Sequence, residues 1–235
     1  MAKPTVFLLP GLLCDGSMLT HQVEALSAEH DVRVPDFTTF DSIGGMAQSV
    51  LDAAPERFSV AGHSMGARVA LEIWRRAPER IERIALLDTG VHPVKEGEPA
   101  QRQALIDLAF AEGMQALCDR WLPPMVHDDR LGDEALMAPL RAMVLAKSPE
   151  IYKRQVTALL GRPDAAAVLP TITVPALVGV GRQDRWSPPA QHQPMAAAIP
   201  GSTYVIFEDS GHMSPAEAPQ AVSQALLAWL ARPTT

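Results

Sequence analysis

A short apolar run leads directly into a serine flanked by glycines in the stretch Phe58-Ser59-Val60-Ala61-Gly62-His63-Ser64-Met65-Gly66. Beyond it, apolar residues recur at helical spacing over residues 65–76. The pattern predicts a strand, a sharp turn that carries Ser64, and a helix. A side chain at either flanking glycine would collide with nearby backbone in such a turn. The turn raises the Oγ atom of Ser64 out of the sheet and places it at a helix N-terminus, which favours developing negative charge.

The same alternation of a short apolar run and a helical segment recurs along the chain and predicts an α/β fold. The six apolar runs are residues 6–9, 31–34, 58–61, 84–87, 176–180 and 204–207. They lack the strict alternation of a half-exposed strand, which favours a mostly or wholly parallel sheet flanked by helices on both faces. We expect a doubly wound sheet in which the strands follow the order 2-1-3-4-5-6.

One interval departs from this rhythm, because no strand pattern occurs between residues 95 and 170. Helical spacing in this interval covers residues 100–112, 114–121, 133–146 and 149–160. We therefore predict an α/β core formed by residues 1–94 and 171–235, and a helical cap formed by residues 95–170 and inserted after the fourth strand. A last helix is predicted over residues 215–230.

The composition excludes several classes of partner. The formal net charge of −7 and the absence of a basic patch argue against nucleic acid and anionic membranes. The longest charge-free apolar stretch, residues 165–181, contains two prolines and is too short to span a bilayer. Cys14 and Cys118 lie far apart without metal-ligand spacing, so we expect neither a metal site nor a disulfide, and a cytoplasmic location.

Ser64 requires a base if it is to act as a nucleophile, because a serine hydroxyl is a weak nucleophile by itself. Among the seven histidines, His212 is the strongest candidate, because it follows the last predicted strand and precedes the last helix. This position lies at the carboxyl edge of the sheet, where Ser64 must also emerge. His63 lies directly beside Ser64 and is poorly placed to reach its neighbour's hydroxyl.

Two aspartates compete for the role of the acid that orients the base. Asp184 lies in a loop after the fifth predicted strand, whereas Asp88 follows the fourth strand and could instead cap a turn. Either residue keeps the chain order serine, acid, histidine. We favour Asp184, because the fifth strand should lie beside the sixth strand, whose end carries His212.

The first predicted strand ends in Pro10-Gly11-Leu12-Leu13-Cys14, next to the expected switch point of the sheet. The backbone N–H groups of Leu12 and Met65 could converge there on a substrate oxygen and form an oxyanion hole. Cys14 is interpreted as a small, partly buried side chain, because no base is positioned to activate it.

These segments together resemble the α/β-hydrolase superfamily, and most of all its small bacterial esterase and enol-lactonase-like members. The resemblance rests on residues 10–15, 61–70, 179–184 and 210–219, and it spans the whole chain except the cap. It implies a catalytic triad of Ser64, His212 and Asp184, oxyanion donors at Leu12 and Met65, and neither a metal nor an organic cofactor. Members of the family usually show His-Gly in the first loop, where this chain has Pro10-Gly11.

The sequence favours a serine hydrolase that cleaves a carboxylic ester, thioester or lactone of a small, largely apolar substrate through an acyl-enzyme. The same triad would serve a C–C bond hydrolase or an acyltransferase, and a ligand receptor on the same fold is a more distant alternative. Four side chains are expected to contact the substrate: Trp121, Met125, Trp186 and Met213. Three cations near the cap are expected to be solvated, with contact to a substrate carboxylate as the alternative: Arg120, Lys147 and Arg154. The oligomeric state and the identity of the substrate are not predicted.

Overall fold

The computed structural model describes residues 3–234, which contain a six-stranded sheet whose strand pairings are all parallel. The strands are β1 (Thr5–Leu9), β2 (Asp31–Arg33), β3 (Phe58–His63), β4 (Ile81–Leu87), β5 (Ala176–Gly181) and β6 (Thr203–Phe207). Their order across the sheet is β2-β1-β3-β4-β5-β6, so the predicted order and the parallel arrangement are confirmed. All residues of β1, β3 and β5 are buried, which explains why these strands are continuous apolar runs in the sequence.

Helices cover both faces of this sheet. They are α1 (Thr20–Leu26), α2 (Ile43–Ala53), α3 (Met65–Arg76), α4 (Glu98–Trp121), α5 (Glu134–Leu145), α6 (Pro149–Leu160), α7 (Pro189–Ala198), α8 (Ser214–Glu217) and α9 (Pro219–Leu230). The step from β1 to β2 runs in one direction across the sheet, and the later steps run in the other. Right-handed crossovers therefore place α1 on the face opposite to α2 and α3. The contacts agree, since α1 packs against α9 whereas α2 packs against α3.

The interval between β4 and β5 is helical, as the sequence predicts. It contains α4, α5 and α6, and α4 packs against both of the other helices. A kink at Gly113, where φ is 85°, divides α4 at the point between the two predicted helices. Buried side chains of this interval, such as Leu117 and Val156, belong to the same hydrophobic cluster as the sheet.

One predicted helix is wrong in its extent. The structure replaces the single helix over residues 215–230 with the short helix α8 and the longer helix α9. The break falls at Ala218, whose φ and ψ angles are −127° and 54°. Pro219 follows directly and begins α9, the position that a proline favours, because within a helix it removes one hydrogen bond and its ring crowds the preceding turn.

None of the helices within residues 3–234 is both long and apolar enough to cross a membrane.

Candidate active site

Ser64 lies on a strained turn between β3 and α3. Its φ and ψ angles are 52° and −111°, a conformation that costs a non-glycine residue about 1–3 kcal/mol and persists only where its surroundings hold it. The backbone N–H of Ser64 donates to the carbonyl of Leu87 (2.9 Å), and the hydroxyl of Thr89 donates to the carbonyl of Ser64 (3.0 Å). Both polar backbone groups of the serine are thus bound to the end of β4 and the residues just after it.

The glycines on either side of this turn are required by close backbone contacts, which confirms the prediction from the sequence. A Cβ atom at Gly62 would lie 2.3 Å from the carbonyl oxygen of Gly66, and one at Gly66 would lie 2.1 Å from that of Leu9. Both distances are far shorter than any contact a carbon atom tolerates. The serine is therefore presented by a turn that only glycine flanks allow.

The structure brings Ser64, His212 and Asp184 into one chain of hydrogen bonds, although they lie on three different loops. The hydroxyl of Ser64 is 2.9 Å from Nε2 of His212, and Nδ1 of His212 is 2.8 Å from Oδ2 of Asp184. An ionised carboxylate only accepts hydrogen bonds, so Nδ1 carries the proton. Nε2 is consequently free to accept the hydroxyl proton of Ser64.

Asp184 is buried with both of its oxygens occupied. While Oδ2 faces His212, Oδ1 accepts the backbone N–H groups of Trp186 and Ser187, each at 2.8 Å. Two backbone donors stabilise the charged form of the carboxylate. They also fix the direction in which its second oxygen points toward the imidazole.

Asp88, the other candidate for the acid, forms hydrogen bonds with groups other than His212. Its carboxylate accepts the N–H of Gly181 (2.9 Å) and the hydroxyl of Ser214. Burial, and then the nearby charge of Asp184, raises the pKa of Asp88 well above its usual range. The interpretation of Asp88 as a turn cap is wrong, because the side chain is fully buried and joins the end of β4 to the end of β5 and the start of α8.

The loop that carries His212 is held by a buried carboxylate that the sequence analysis did not identify. Glu217 accepts the backbone N–H groups of Gly211 and Met213, each at 3.0 Å, and that of His127 at 2.7 Å. Two of these donors are the immediate neighbours of His212, so the carboxylate fixes the backbone on both sides of the imidazole. The signal in the sequence was an acidic residue five positions after the histidine and just before the final helix.

His63 supports the same loop instead of acting on Ser64. Its Nε2–H group donates a hydrogen bond to the backbone carbonyl of His212, at 2.7 Å. Burial, and then the proximity of His212, lowers the pKa of His63 to about 3, so that the ring is neutral at pH 7. The adjacent position of His63 in the sequence thus serves to anchor the loop that carries His212.

The loop that follows β1 places Leu12 next to Ser64. A side chain from the interval between β4 and β5 supports this loop. Leu12 and Ser64 line one narrow crevice. Leu13 adopts a φ of 60°, and its N–H donates to the side-chain carbonyl of Gln155 on α6 at 2.8 Å. Within residues 3–234, no hydrogen bond occupies the N–H of Leu12 or that of Met65. The N–H groups of Leu12, which lines the crevice with Ser64, and of Met65, which follows Ser64, therefore remain available to a ligand, and Gln155 supports the first loop, which has Pro10 in place of histidine.

All four side chains predicted to contact a substrate line the narrow crevice at Ser64. They are Trp121, Met125, Trp186 and Met213. Trp186 is half exposed (49%) at the mouth, whereas the other three are buried. Cys14 lines the same crevice, and burial, and then the charge of Asp15, raises the pKa of its thiol to about 12. A protonated thiol agrees with its interpretation as an inert side chain.

A larger cavity of about 450 Å³ opens on another side of Ser64. None of the three cations considered from the sequence lines it. Lys147 instead forms an ion pair with Asp15, while Arg120 and Arg154 are exposed. The cations that do line the cavity are Arg68, Lys95, Arg102, Arg162 and Arg185. Helical periodicity alone did not show which basic residues face the serine.

Comparison with known proteins places this geometry in context. The sequence profile described as "Alpha/beta hydrolase family" matches residues 6–225 of the chain. The chain is similar to the pimeloyl-(acyl-carrier protein) methyl ester esterase of Nitrosomonas europaea, with 26% identity over 225 residues, 89% of this chain and 88% of that protein.

Two solved structures are similar over nearly the whole chain. A thermophilic esterase from Thermogutta terrifontis, described with malate bound, has a TM-score of 0.88 and 26% identity, covering 97% of this chain and 90% of that one. The enol-lactonase from Burkholderia xenovorans has a TM-score of 0.87 and 29% identity, covering 99% and 93%.

Proposed function

This chain belongs to the alpha/beta hydrolase family, and we propose that it hydrolyses a carboxylic ester, thioester or lactone through an acyl-enzyme on Ser64. The observation that carries the proposal is the buried series of hydrogen bonds from Ser64 through His212 to Asp184. The arrangement combines a nucleophile, a base within hydrogen-bond reach and an acid that orients the base.

In the first half of the reaction, Oγ of Ser64 attacks the carbonyl carbon of the substrate while Nε2 of His212 accepts the hydroxyl proton. Asp184 stabilises the imidazolium that forms, without itself taking up the proton. The carbonyl oxygen becomes an oxyanion, which accepts hydrogen bonds from the N–H groups of Leu12 and Met65. Each donor of this kind contributes about 2.7–4 kcal/mol to the transition state.

The oxyanion then collapses: the bond from the carbonyl carbon to the alcohol or thiol breaks, and the imidazolium of His212 gives its proton to this leaving group, which leaves the acyl-enzyme. A water molecule then takes the place of the leaving group and is deprotonated by the same nitrogen as it attacks the acyl carbon. Collapse of the second oxyanion breaks the bond between the acyl carbon and Oγ, and His212 passes the proton taken from water to Oγ, which releases the acid and regenerates Ser64. The fixed imidazole therefore acts as base and as acid in alternation.

The choice of an ester over other bonds rests on two supports. Similar proteins are described as an esterase and as an enol-lactonase, whereas two others are described as 2-hydroxy-6-oxononadienedioate/2-hydroxy-6-oxononatrienedioate hydrolases. Ser64 also occupies the nucleophile position, which fits acyl transfer, whereas a carboxylate there would fit haloalkane or epoxide chemistry.

We further propose that residues 95–170 act as a cap that shapes the substrate pocket. This interval supplies Trp121 and Met125 to the crevice at Ser64, while Trp186 and Met213 enter from loops that follow β5 and β6.

Both cysteines are free and buried, which supports the cytoplasm as the site of action.

Labelling with a fluorophosphonate probe tests the nucleophile. The probe should modify the wild-type protein and should not modify Ser64→Ala, whose turnover should fall by about 10⁴–10⁶. Cys14→Ala is the matched control, because it removes the other nucleophilic atom of the crevice and should leave labelling intact. Labelling that persists in Ser64→Ala, or that depends on Cys14, contradicts the proposal.

A substrate panel tests the type of bond. It should contain short ethyl and p-nitrophenyl esters, a thioester, a lactone and a vinylogous diketone, each followed under the same conditions. At least one of the esters, the thioester and the lactone should turn over at about 1–10³ per second. Faster cleavage of the diketone than of every ester would reassign the activity to C–C bond hydrolysis.

A further inference from the structure

The cavity beside Ser64 is cationic, although the protein as a whole is acidic, with a formal net charge of −7. Five basic side chains and two carboxylates line it. The basic residues are Arg68, Lys95, Arg102, Arg162 and Arg185, and the acidic residues are Glu96 and Glu98. This excess of positive charge lies in the cavity that also exposes the proposed nucleophile.

Arg162 is fully paired inside the protein. Its guanidinium donates to both oxygens of Glu98, at 2.8 and 2.6 Å, and to the backbone carbonyls of His92, Pro93 and Leu159. Every N–H direction of this side chain therefore has an acceptor, so Arg162 serves the structure of the cavity wall.

Arg102 shares the same carboxylate and is only partly paired. Its Nε donates to Glu98 at 2.8 Å, and its guanidinium lies over the ring of Trp186, with 5.9 Å between Cζ and the ring centroid. Glu98 is thus divided between two arginines. Burial opposes its ionisation, but the hydrogen bonds from Arg162 and Arg102 lower the pKa of Glu98 to about 2.

Arg68 has no carboxylate partner among residues 3–234. Within residues 3–234, the guanidinium of Arg68 forms one hydrogen bond, from Nη1 to the backbone carbonyl of His92 at 3.1 Å. Burial, and then repulsion from Arg162, lowers the pKa of Arg68 to about 9. The charges of Glu98 and Asp164 favour the ionised guanidinium, but neither carboxylate forms a hydrogen bond with it among the described residues, so an anion that enters the cavity would still gain a charged donor.

We propose that the cavity binds a carboxylate group of the substrate, with Arg68 as the principal contact and Arg102 as the second. The inference rests on the proposed function of Ser64. Arg68 lies one helical turn beyond Ser64 on α3, so the anionic group and the reacting carbonyl belong to one small molecule.

A carboxylate fits this site better than a phosphate does. A guanidinium presents two parallel N–H groups that match the two oxygens of a carboxylate. Glu96 and Glu98 line the same cavity and would repel the second negative charge of a phosphate monoester. The natural substrate is therefore an ester, thioester or lactone that carries a free carboxylate.

Matched esters test the proposal in the wild-type protein by titration of the released acid. Monoethyl glutarate and ethyl pentanoate differ only by a carboxylate in place of a methyl group on the acyl side. The salt of 4-acetoxybutanoic acid and butyl acetate make the same comparison on the alcohol side. In one of the two pairs the charged ester should have a kcat/KM about 10- to 100-fold higher, the range expected for hydrogen bonds to a charged group. Equal rates in both pairs would overturn the proposal.

A variant at the proposed contact sharpens the test. Arg68→Gln should reduce the preference for the charged ester about tenfold or more. Arg154→Gln is the matched control, because it removes the same charge from an exposed position on α6 outside the cavity and should keep the preference. Circular dichroism checks that both variants fold. A preference that survives in folded Arg68→Gln contradicts the assignment of this arginine.

Binding without turnover separates this inference from the proposed function. Glutarate should bind to Ser64→Ala in a calorimetric titration, and neutral glutaramide should bind at least tenfold more weakly. If the wild-type protein cleaves neither ester yet Ser64→Ala binds glutarate, the hydrolytic proposal fails and the anion site stands. If ethyl pentanoate is cleaved but glutarate neither binds nor inhibits, the anion site fails and the hydrolytic proposal stands.

Discussion

The carboxyl edge of the sheet and the cavity beside it differ in how completely their ionisable side chains are hydrogen-bonded within the protein. At the sheet edge the carboxylates of Asp184, Asp88 and Glu217 are buried, and every oxygen has a donor from the chain. In the cavity, most N–H groups of the Arg68 guanidinium have no acceptor among residues 3–234. A carboxylate whose oxygens all accept hydrogen bonds is held in one orientation, whereas a guanidinium with free N–H groups can still bind an anion. The comparison indicates that the sheet edge is organised for chemistry and the cavity wall for recognition.

The two regions are nevertheless joined by contacts from the interval between β4 and β5. Gln155 binds the N–H of Leu13 beside the serine, and the carbonyl of Met125 accepts the N–H of His212 at 2.8 Å. Lys147 forms an ion pair with Asp15 of the first loop. The proposed cap therefore contributes to the position of the reacting groups as well as to the cavity.

The largest effect on turnover is expected from Asp184→Asn, and the same exchange at the buried Asp88 is its control. Asp184→Asn keeps the shape of the side chain but favours the wrong tautomer of His212, so turnover should fall by about 10⁴. Asp88→Asn should stay within about tenfold of the wild type, because an amide can accept from Gly181 and donate to Ser214. Turnover of both variants with ethyl pentanoate checks this. The reverse pattern would transfer the orienting role to Asp88.

A smaller effect is expected where the proposed cap supports the first loop. Gln155→Leu removes the acceptor of the Leu13 N–H, so the neighbouring N–H of Leu12 loses its fixed direction and kcat should fall by up to about 100-fold. KM should change little, because the donor acts mainly in the transition state. Gln115→Leu, an exposed position on α4, is the control and should leave kcat unchanged. A change in KM alone for Gln155→Leu would show that the contact serves binding only.

Enlarging the substrate crevice should change the preference between long and short acyl chains, measured as a ratio of kcat/KM, by about tenfold. Trp121 is 5% exposed and lines both the crevice and the larger cavity. Trp121→Phe leaves an aromatic ring but frees volume, so the ratio of kcat/KM for longer to shorter acyl chains should rise, since one methylene is worth about 10-fold or more in a fitted pocket. An unchanged ranking across ethyl esters from acetate to octanoate would place the acyl chain elsewhere.

The smallest effect concerns the dependence of stability on pH. Burial lowers the pKa of His192 to about 4, and the neutral ring accepts the N–H of Thr89 at 2.8 Å. Below pH 6.5 the unfolded chain binds a proton that the folded protein does not, so the free energy of unfolding should fall by up to about 1.4 kcal/mol per pH unit for this histidine down to pH 4.

Urea denaturation at pH 7, 6, 5 and 4 measures this dependence. His192→Gln should have a shallower slope between pH 6.5 and 4, while His63, whose pKa burial lowers to about 3, continues to contribute in both proteins. Above pH 7 the two proteins should show the same dependence. Identical slopes below pH 6.5 would mean that the His192 ring takes up its proton in the folded state.

Much of the fold could be predicted because its signals are local. Continuous apolar runs marked strands buried on both faces, and prolines and glycines marked most of the boundaries between elements. The final helix was predicted too long, because the apolar stripe continues across Pro219 and hid the break. Ser64, His212 and Asp184 could be singled out because each follows a strand of a parallel sheet, whose carboxyl ends meet at one edge.

For other site residues, the sequence did not show which group the side chain contacts. Glu217 acts on the His212 loop through backbone donors, Gln155 reaches Leu13 from a position 142 residues away, and Arg68 is one of several basic residues on its helix. None of these roles follows from periodicity, since each depends on what lies opposite the side chain in space.

The sequence by itself determined where the strands and the strained turn at Ser64 lie along the chain, because continuous apolar runs and the small size of glycine act over a few residues. Only the tertiary structure decided which cations face the serine, with Arg68 in the cavity and Arg120 and Arg154 exposed. The rotation of a helix about its axis is set by the surfaces against which it packs. Those surfaces come from distant parts of the chain, so the charge of the cavity is a property of the packing.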